Sequence, residues 1–180
     1  MAIIKVRQTA VAQWYDIVRE AQELSACAVD EELESYLVYM LLRFMDQTDL
    51  AEQAVGMAFL AAQQSPFMGR SMLLRNVGDQ CLLYSGLYPE RATNRGLRVG
   101  YYVHIGKRSY SAAADEIRHE INISKMYERL CAQFVTLMDV LHSVRQLGGE
   151  EQRLSLKKAM EIWEDTGSLF ARKLIVETHS

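Results

Sequence analysis

The sequence contains few of the residues that interrupt or cross-link a chain. There are two prolines and three cysteines among 180 residues. The cysteines, Cys27, Cys81 and Cys131, are odd in number, form no CxxC pair and lie in apolar helical patterns. This distribution is typical of reduced, buried thiols in a cytoplasm, and it argues against a disulfide framework or a cysteine-based zinc site.

Long apolar runs and the best-known catalytic signatures are also missing. The longest apolar run, residues 54–62, is about half the length that crosses a bilayer. The first residues, MAIIKVRQTA, show no apolar stretch followed by a cleavage site, so we predict a cytoplasmic protein without a membrane association. No GxSxG, HExxH, Walker or GxGxxG motif marks a hydrolase, a zinc protease or a nucleotide site.

The composition is that of a globular protein. Hydrophobic residues make up 49% of the chain and charged residues 24%, and 180 residues suffice for one core, so we predict a single domain over residues 1–180. The net charge of −3 argues against a dedicated nucleic-acid binder, because such domains are usually basic.

Apolar residues recur at the helical period along most of the chain, which predicts an all-α bundle of about seven helices. Asp30 is expected to cap the second helix. Residues 97–106 suit either an alternating strand or a helix, and we favour a helix because an isolated strand would have no partner. The expected helices cover about residues 7–25, 31–44, 48–64, 68–84, 97–106, 115–147 and 150–176.

Residues 84–110 form a basic, tyrosine-rich segment that we expect to be irregular and to lie between the fourth helix and the long sixth one. It carries five basic residues and one acid. Arginine and tyrosine side chains together suit anionic ligands and protein interfaces. Alternatively, the tyrosines pack into the core while the arginines pair with acids elsewhere. The candidate binding residues are Tyr88, Arg91, Arg95, Arg98, Tyr101, Tyr102, Lys107 and Arg108.

Asp79 is expected to be a buried structural carboxylate. It follows Gly78 and is surrounded in sequence by apolar residues. Because an unpaired buried charge is costly, we predict that one of Arg91, Arg95 or Arg98 pairs with it. Residues 78–110 would then form a helix–turn–helix-like corner.

A metal site is the alternative in another functional class. Glu116 and His119 have the Glu-x-x-His spacing that directs both side chains to one side of a helix, as in ferritin-like sites. A similar carboxylate–histidine pair, Asp139 with His142, is predicted to lie about 35 Å away on the same helix. The two residue pairs would therefore not bind the same two metal ions. Additional carboxylates would have to come from residues such as Glu31, Glu34 or Glu52.

The middle of the chain resembles a family of uncharacterised proteobacterial helical proteins. The resemblance covers about a fifth of the chain and differs from the family pattern at Gly100, where members often carry an acid. It implies a bacterial origin and a helical fold, and it brings no activity or catalytic residue with it. The matching residues are Gly78, Asp79, Ser85, Gly86, Arg91, Arg95, Tyr101, Tyr102, Gly106 and Tyr110.

Together these observations predict a non-enzymatic interaction or regulatory module without a cofactor, with segment 84–110 as its binding surface for a protein partner or an anionic ligand. A homodimer is expected, because the apolar helix faces are wide and dimers are the commonest symmetric assembly. Two alternatives stay open: the metal-dependent helical enzyme, and a carrier of apolar ligands. The nine methionines would favour the carrier if they lined an internal pocket instead of filling the core.

Overall fold

A computed structural model describes residues 2–46, 54–149 and 153–179. These residues form ten helices and no strand, so the all-α prediction is confirmed, while the number of helices exceeds the predicted seven. None of these helices combines the length and apolar character that a bilayer span requires. The helices are α1 (Ala2–Ser25), α2 (Glu31–Asp46), α3 (Val55–Gln64), α4 (Phe67–Leu87), α5 (Glu90–Asn94), α6 (Val99–Glu116), α7 (Ile121–Ala132), α8 (Phe134–Leu147), α9 (Leu156–Thr166) and α10 (Leu169–Thr178).

The start of α2 follows the predicted local chemistry. The carboxylate of Asp30 accepts hydrogen bonds from the backbone N–H groups of Glu32 and Leu33, both at 3.1 Å. Such a cap satisfies donors that have no partner inside the helix. The start predicted at residues 48–49 lies outside the described residues, and α3 begins at Val55. Its end before Pro66 is confirmed, because α3 ends at Gln64.

Two predicted long helices are each divided in the structure. The prediction of one helix over residues 115–147 is wrong. Helix α6 continues to Glu116 and is followed by a turn at residues 117–120. A second break, at Gln133, separates α7 from α8. The segment expected over 150–176 is interrupted where Gly167 adopts a left-handed conformation with φ of 71°. Ser168 then caps α10 by accepting a hydrogen bond from the N–H of Ala171.

The basic, tyrosine-rich segment is mostly helical instead of irregular. It contains the end of α4, all of α5 and the first part of α6, and only residues 88–89 and 95–98 lie between helices. The preference for a helix over residues 97–106 is therefore confirmed from Val99 onward. The helix expected over residues 68–84 ends three residues later in the structure, at Leu87.

Helix α4 packs closely against α6 and α8, and glycines make this approach possible. A Cβ atom on Gly86 would lie 2.4 Å from the Cβ of Leu141 on α8, and one on Gly78 would lie 2.6 Å from the ring of Tyr110 on α6. Tyr110 and Leu141 are completely buried at these contacts. The core of the described chain is thus centred on α4, whose C-terminal half contributes buried residues on nearly every side.

Candidate ligand site between α2, α3 and α4

Asp79 lies on α4 and receives polar groups from three helices. Its Oδ1 atom accepts hydrogen bonds from the hydroxyl of Tyr36 at 2.5 Å and from that of Tyr110 at 2.8 Å. Its Oδ2 atom accepts one from Nη2 of Arg43 at 2.9 Å, and Nε of Arg75 lies 3.9 Å away. Asp79 is 8% exposed, so this carboxylate links α2, α4 and α6 from the inside.

The arginine that contacts Asp79 was not among the predicted ones. Arg43, on α2, takes the place expected for Arg91, Arg95 or Arg98, so the predicted partner is wrong. A local signal for Arg43 was present, because Tyr36, Met40 and Arg43 are spaced to lie on one face of α2. Tertiary packing brings this face to Asp79 across 36 residues of sequence.

Burial sets the protonation of this cluster. It raises the pKa values of Tyr36 and Tyr110 well above their usual range, and the charge of Asp79 contributes to both shifts. Burial also raises the pKa of Asp79, while the hydrogen bonds from the two tyrosines and the charges of both nearby arginines oppose that rise. Both hydroxyls therefore retain their protons near neutral pH and act as hydrogen-bond donors to Asp79.

A cleft of about 460 Å³ opens beside this cluster, between α2, α3 and α4. The Arg43 side chain is 43% exposed, that of Arg75 is 22% exposed and that of Asp79 is 11% exposed, so the arginines are the more accessible charges. The apolar lining residues are Met40, Phe44, Ala58, Ala61, Ala62, Leu73, Val77 and Leu83, and the polar ones are Arg43, Ser65, Arg75, Asn76, Asp79 and Gln80. Among the residues that the structure describes, Met40 is the one methionine in the lining, unlike the methionine-lined pocket expected for a carrier.

The candidate residues of the basic, tyrosine-rich segment lie outside this cleft. Tyr102 is buried and packs edge-on against Tyr84, with ring centroids 5.7 Å apart. Arg91 lies over the rings of Tyr84 and Tyr88, at 4.8 and 5.4 Å. Of the other candidate binding residues, Lys107 is half-buried. The exposed ones are Tyr88, Arg95, Arg98, Tyr101 and Arg108.

Arg98 shows most clearly how this segment makes intramolecular contacts. Its guanidinium binds both carboxylate oxygens of Asp165 on α9, at distances between 2.7 and 3.1 Å. The pairing lowers the pKa of Asp165. Arg108, further along α6, lies 6.0 Å from the ring centre of Phe59 on α3. The Arg98–Asp165 pair fits the alternative in which the segment's arginines pair with acids elsewhere, whereas Arg108 packs near an aromatic ring.

The residues of the alternative metal site are not brought together: some contact other side chains, and His119 is exposed. The Glu116 carboxylate accepts a hydrogen bond from Nη1 of Arg70 at 3.0 Å, and His119 is exposed in the turn after α6. Glu34 accepts hydrogen bonds from Arg19 and Gln22, and Glu52 lies outside the described residues. Within the described ranges, no group of three or more His, Cys, Asp or Glu side chains could hold a metal ion.

Asp139 and His142 form a second buried polar cluster, on α8. Asp139 accepts hydrogen bonds from the Ser168 hydroxyl at 2.5 Å and from the N–H groups of Leu169 and Phe170 at 3.1 and 3.3 Å. His142 places Nδ1 2.8 Å from the Gly86 carbonyl oxygen, which fits an N–H donor. Its ring stacks on Phe170, with centroids 5.6 Å apart. The cluster therefore fastens the start of α10 to α8.

The two groups in this cluster respond to pH in opposite directions. Burial lowers the pKa of His142 to about 4 and raises that of Asp139 to about 6. Unfolding lets His142 take up a proton below its usual pKa of about 6.5, so this residue reduces stability as the pH falls. Asp139 binds its proton more tightly in the folded state, so it adds stability as the pH falls from about 6 towards 4.

We expect the substitution His142→Gln to isolate the histidine contribution. Between pH 7 and pH 5 the wild type should lose about 2 kcal/mol more unfolding free energy than the variant, because only the wild type gains a proton at this position on unfolding. Urea unfolding at a series of pH values measures this difference. His119→Gln, at an exposed position, should follow the wild-type curve. Parallel curves for His142→Gln and the wild type would contradict the buried neutral state.

Comparison with known proteins adds no relative to this picture: no protein-family model, curated protein or solved structure matches the chain significantly.

Proposed function

We propose that this protein is a non-enzymatic binding module whose ligand is a small molecule held in the cleft between α2, α3 and α4. The observation that carries this proposal is the cleft itself, with a volume of about 460 Å³, mostly apolar walls and a charged cluster at one side. Sites for small organic ligands typically measure about 300–1,000 Å³ and combine apolar walls with a few polar groups that fix orientation.

The chemistry of the two tyrosines in the cluster supports binding in preference to proton transfer. Tyr36 and Tyr110 have raised pKa values and already donate to Asp79. A general acid or base works best when its pKa lies near the operating pH. Both tyrosines instead hold the carboxylate in place, and the carboxylate in turn orients Arg43 towards the cleft.

This proposal keeps the kind of function expected from the sequence and moves its site. The basic, tyrosine-rich segment was expected to bind the partner, yet Arg91 and Arg98 contact side chains of the same chain, and Tyr102 is buried. Arg43 and Arg75 line an open volume instead. A ligand can therefore reach these two arginines without displacing the contacts that join α6 to α9.

The proposal is tested by filling the cleft. We expect the neutral fluorescent probe N-phenyl-1-naphthylamine to bind the wild type saturably at one site, and the substitution Ala61→Trp to abolish this binding. Ala61 is exposed and lines the cleft, so an indole there occupies ligand volume without entering the core. Fluorescence titration gives the stoichiometry and affinity.

Gln63→Trp is the matched control, because this residue is exposed on the same helix and does not line the cleft. It should bind the probe as the wild type does. Circular dichroism and thermal melting establish that both variants are folded. Equal probe binding by Ala61→Trp and Gln63→Trp, or no saturable binding by the wild type, would overturn the proposal.

A further inference from the structure

Charge within the cleft is unbalanced. Arg43 and Arg75 both approach the same Oδ2 atom of Asp79, at 2.9 and 3.9 Å. In the described part of the chain, Asp79 is the one acidic residue that lines the cleft. Among the described side chains, two guanidinium groups thus share one carboxylate, which is an excess of one positive charge beside the apolar walls.

Arg43 is held in place before any ligand arrives. Its guanidinium donates to Asp79 and lies 5.8 Å from the centre of the Tyr36 ring. Asp79 is fixed in turn by the two tyrosine hydroxyls. A guanidinium carries five N–H donors, so one bond to Asp79 leaves donors for a second anion. Fixing the side chain in advance lowers the entropy lost when an anion binds.

The second arginine is placed to share that anion. Arg75 lies one helical turn before Asp79 on α4, and its Nε and Nη2 atoms donate to the side-chain oxygen of Asn76. Its side chain is 22% exposed, so its charge is only partly screened by water. The apolar walls continue from this polar edge through Leu73, Phe44 and the alanines of α3.

We propose, on the basis of the proposed function, that the ligand class is a monoanionic amphiphile: an organic carboxylate whose head binds Arg43 and Arg75 and whose apolar body lies against α3. One negative charge balances the excess of one positive charge. Carboxylates also match the fork of donors that a guanidinium presents. A neutral apolar compound fits the walls and leaves the arginine charges without a counter-ion.

Octanoate and 1-octanol test this inference, because they share the same apolar chain and differ in the head group. Both compounds compete with N-phenyl-1-naphthylamine in a displacement titration. With the wild type, octanoate should displace the probe at a concentration about tenfold lower than 1-octanol, as expected for one charge-assisted contact. In the Arg75→Gln variant this preference should fall to about twofold or less, when the displacement by each compound is corrected for the variant's own probe affinity.

Arg91→Gln is the control, since Arg91 lies outside the cleft. This variant should prefer octanoate over 1-octanol as strongly as the wild type does. If Arg75→Gln fails to fold, the salt dependence of the wild type provides the second measurement. Added salt should weaken the binding of octanoate and leave the binding of 1-octanol unchanged. If octanoate and 1-octanol displaced the probe at equal concentrations, or with equal salt dependence, the assignment of a carboxylate ligand would be overturned. Saturable probe binding would in that case still support a ligand site in the cleft. Absence of probe binding would overturn the proposed function itself.

Discussion

Replacing Asp79 by alanine is expected to lower the unfolding free energy by about 2–4 kcal/mol, because hydroxyl donors lose their acceptor. The substitution removes the common acceptor of Tyr36, Tyr110 and Arg43. The two tyrosine hydroxyls are buried beside it and would keep no acceptor in this cluster, and one positive charge would lose its counter-ion. Chemical unfolding in urea at neutral pH measures the loss.

Arg91→Ala provides the comparison, because Arg91 is the nearest in sequence of the arginines first expected to pair with Asp79. In the structure it lies over the Tyr84 and Tyr88 rings, so we expect a loss of about 1 kcal/mol or less. If the Asp79→Ala protein instead melted within about two degrees of the parent, the structural role of this carboxylate would be wrong. Asp79 would then be a ligand-binding group only.

Gly86→Ala is expected to lower the unfolding free energy by about 3 kcal/mol, although alanine favours helices more than glycine does. The new Cβ would lie 2.4 Å from Cβ of Leu141 and 2.9 Å from its Cδ1. A Cβ atom moves only with its backbone, and Leu141 is completely buried. Helices α4 and α8 would have to separate, which disturbs the packing of the core.

Gly56→Ala distinguishes this effect from a general cost of replacing glycine. Its Cβ would also meet an atom at 2.4 Å, and that atom is the hydroxyl oxygen of Tyr101, at the end of a side chain that is 37% exposed. The tyrosine side chain can adopt another rotamer, so we expect no measurable loss of unfolding free energy. Urea midpoints of the two variants make the comparison. Equal midpoints for the wild type and Gly86→Ala would show that α4 and α8 tolerate a larger separation.

Local chemistry was enough to predict the helices whose ends carry their own signals. Asp30 caps α2, and Pro66 follows the end of α3, as expected. The breaks at residues 117–120 and at Gln133 carry neither proline nor glycine, so the apolar period continued across them. The first of these turns results from packing, because α7 folds back onto α6 and the Ser124 hydroxyl donates to the Ala114 carbonyl.

The candidate site was predictable in part for the same reason. The burial of Asp79 followed from its apolar neighbours in sequence. Its true partners could not be ranked, because Tyr36 and Arg43 lie on α2, 43 and 36 residues away. Arg75 offered a weaker signal, since it is four residues before Asp79 and therefore on the same face of α4. The cleft itself depends on how α3 lies against α2 and α4.

The cap that α8 provides for α10 imposes an order on folding during synthesis. Asp139 is made well before Ser168, Leu169 and Phe170, which supply its hydrogen-bond donors. Until those residues leave the ribosome, burying α8 against α1 and α4 would desolvate a carboxylate without compensation. We therefore expect α8 to reach its final packing only once residues 168–170 are available.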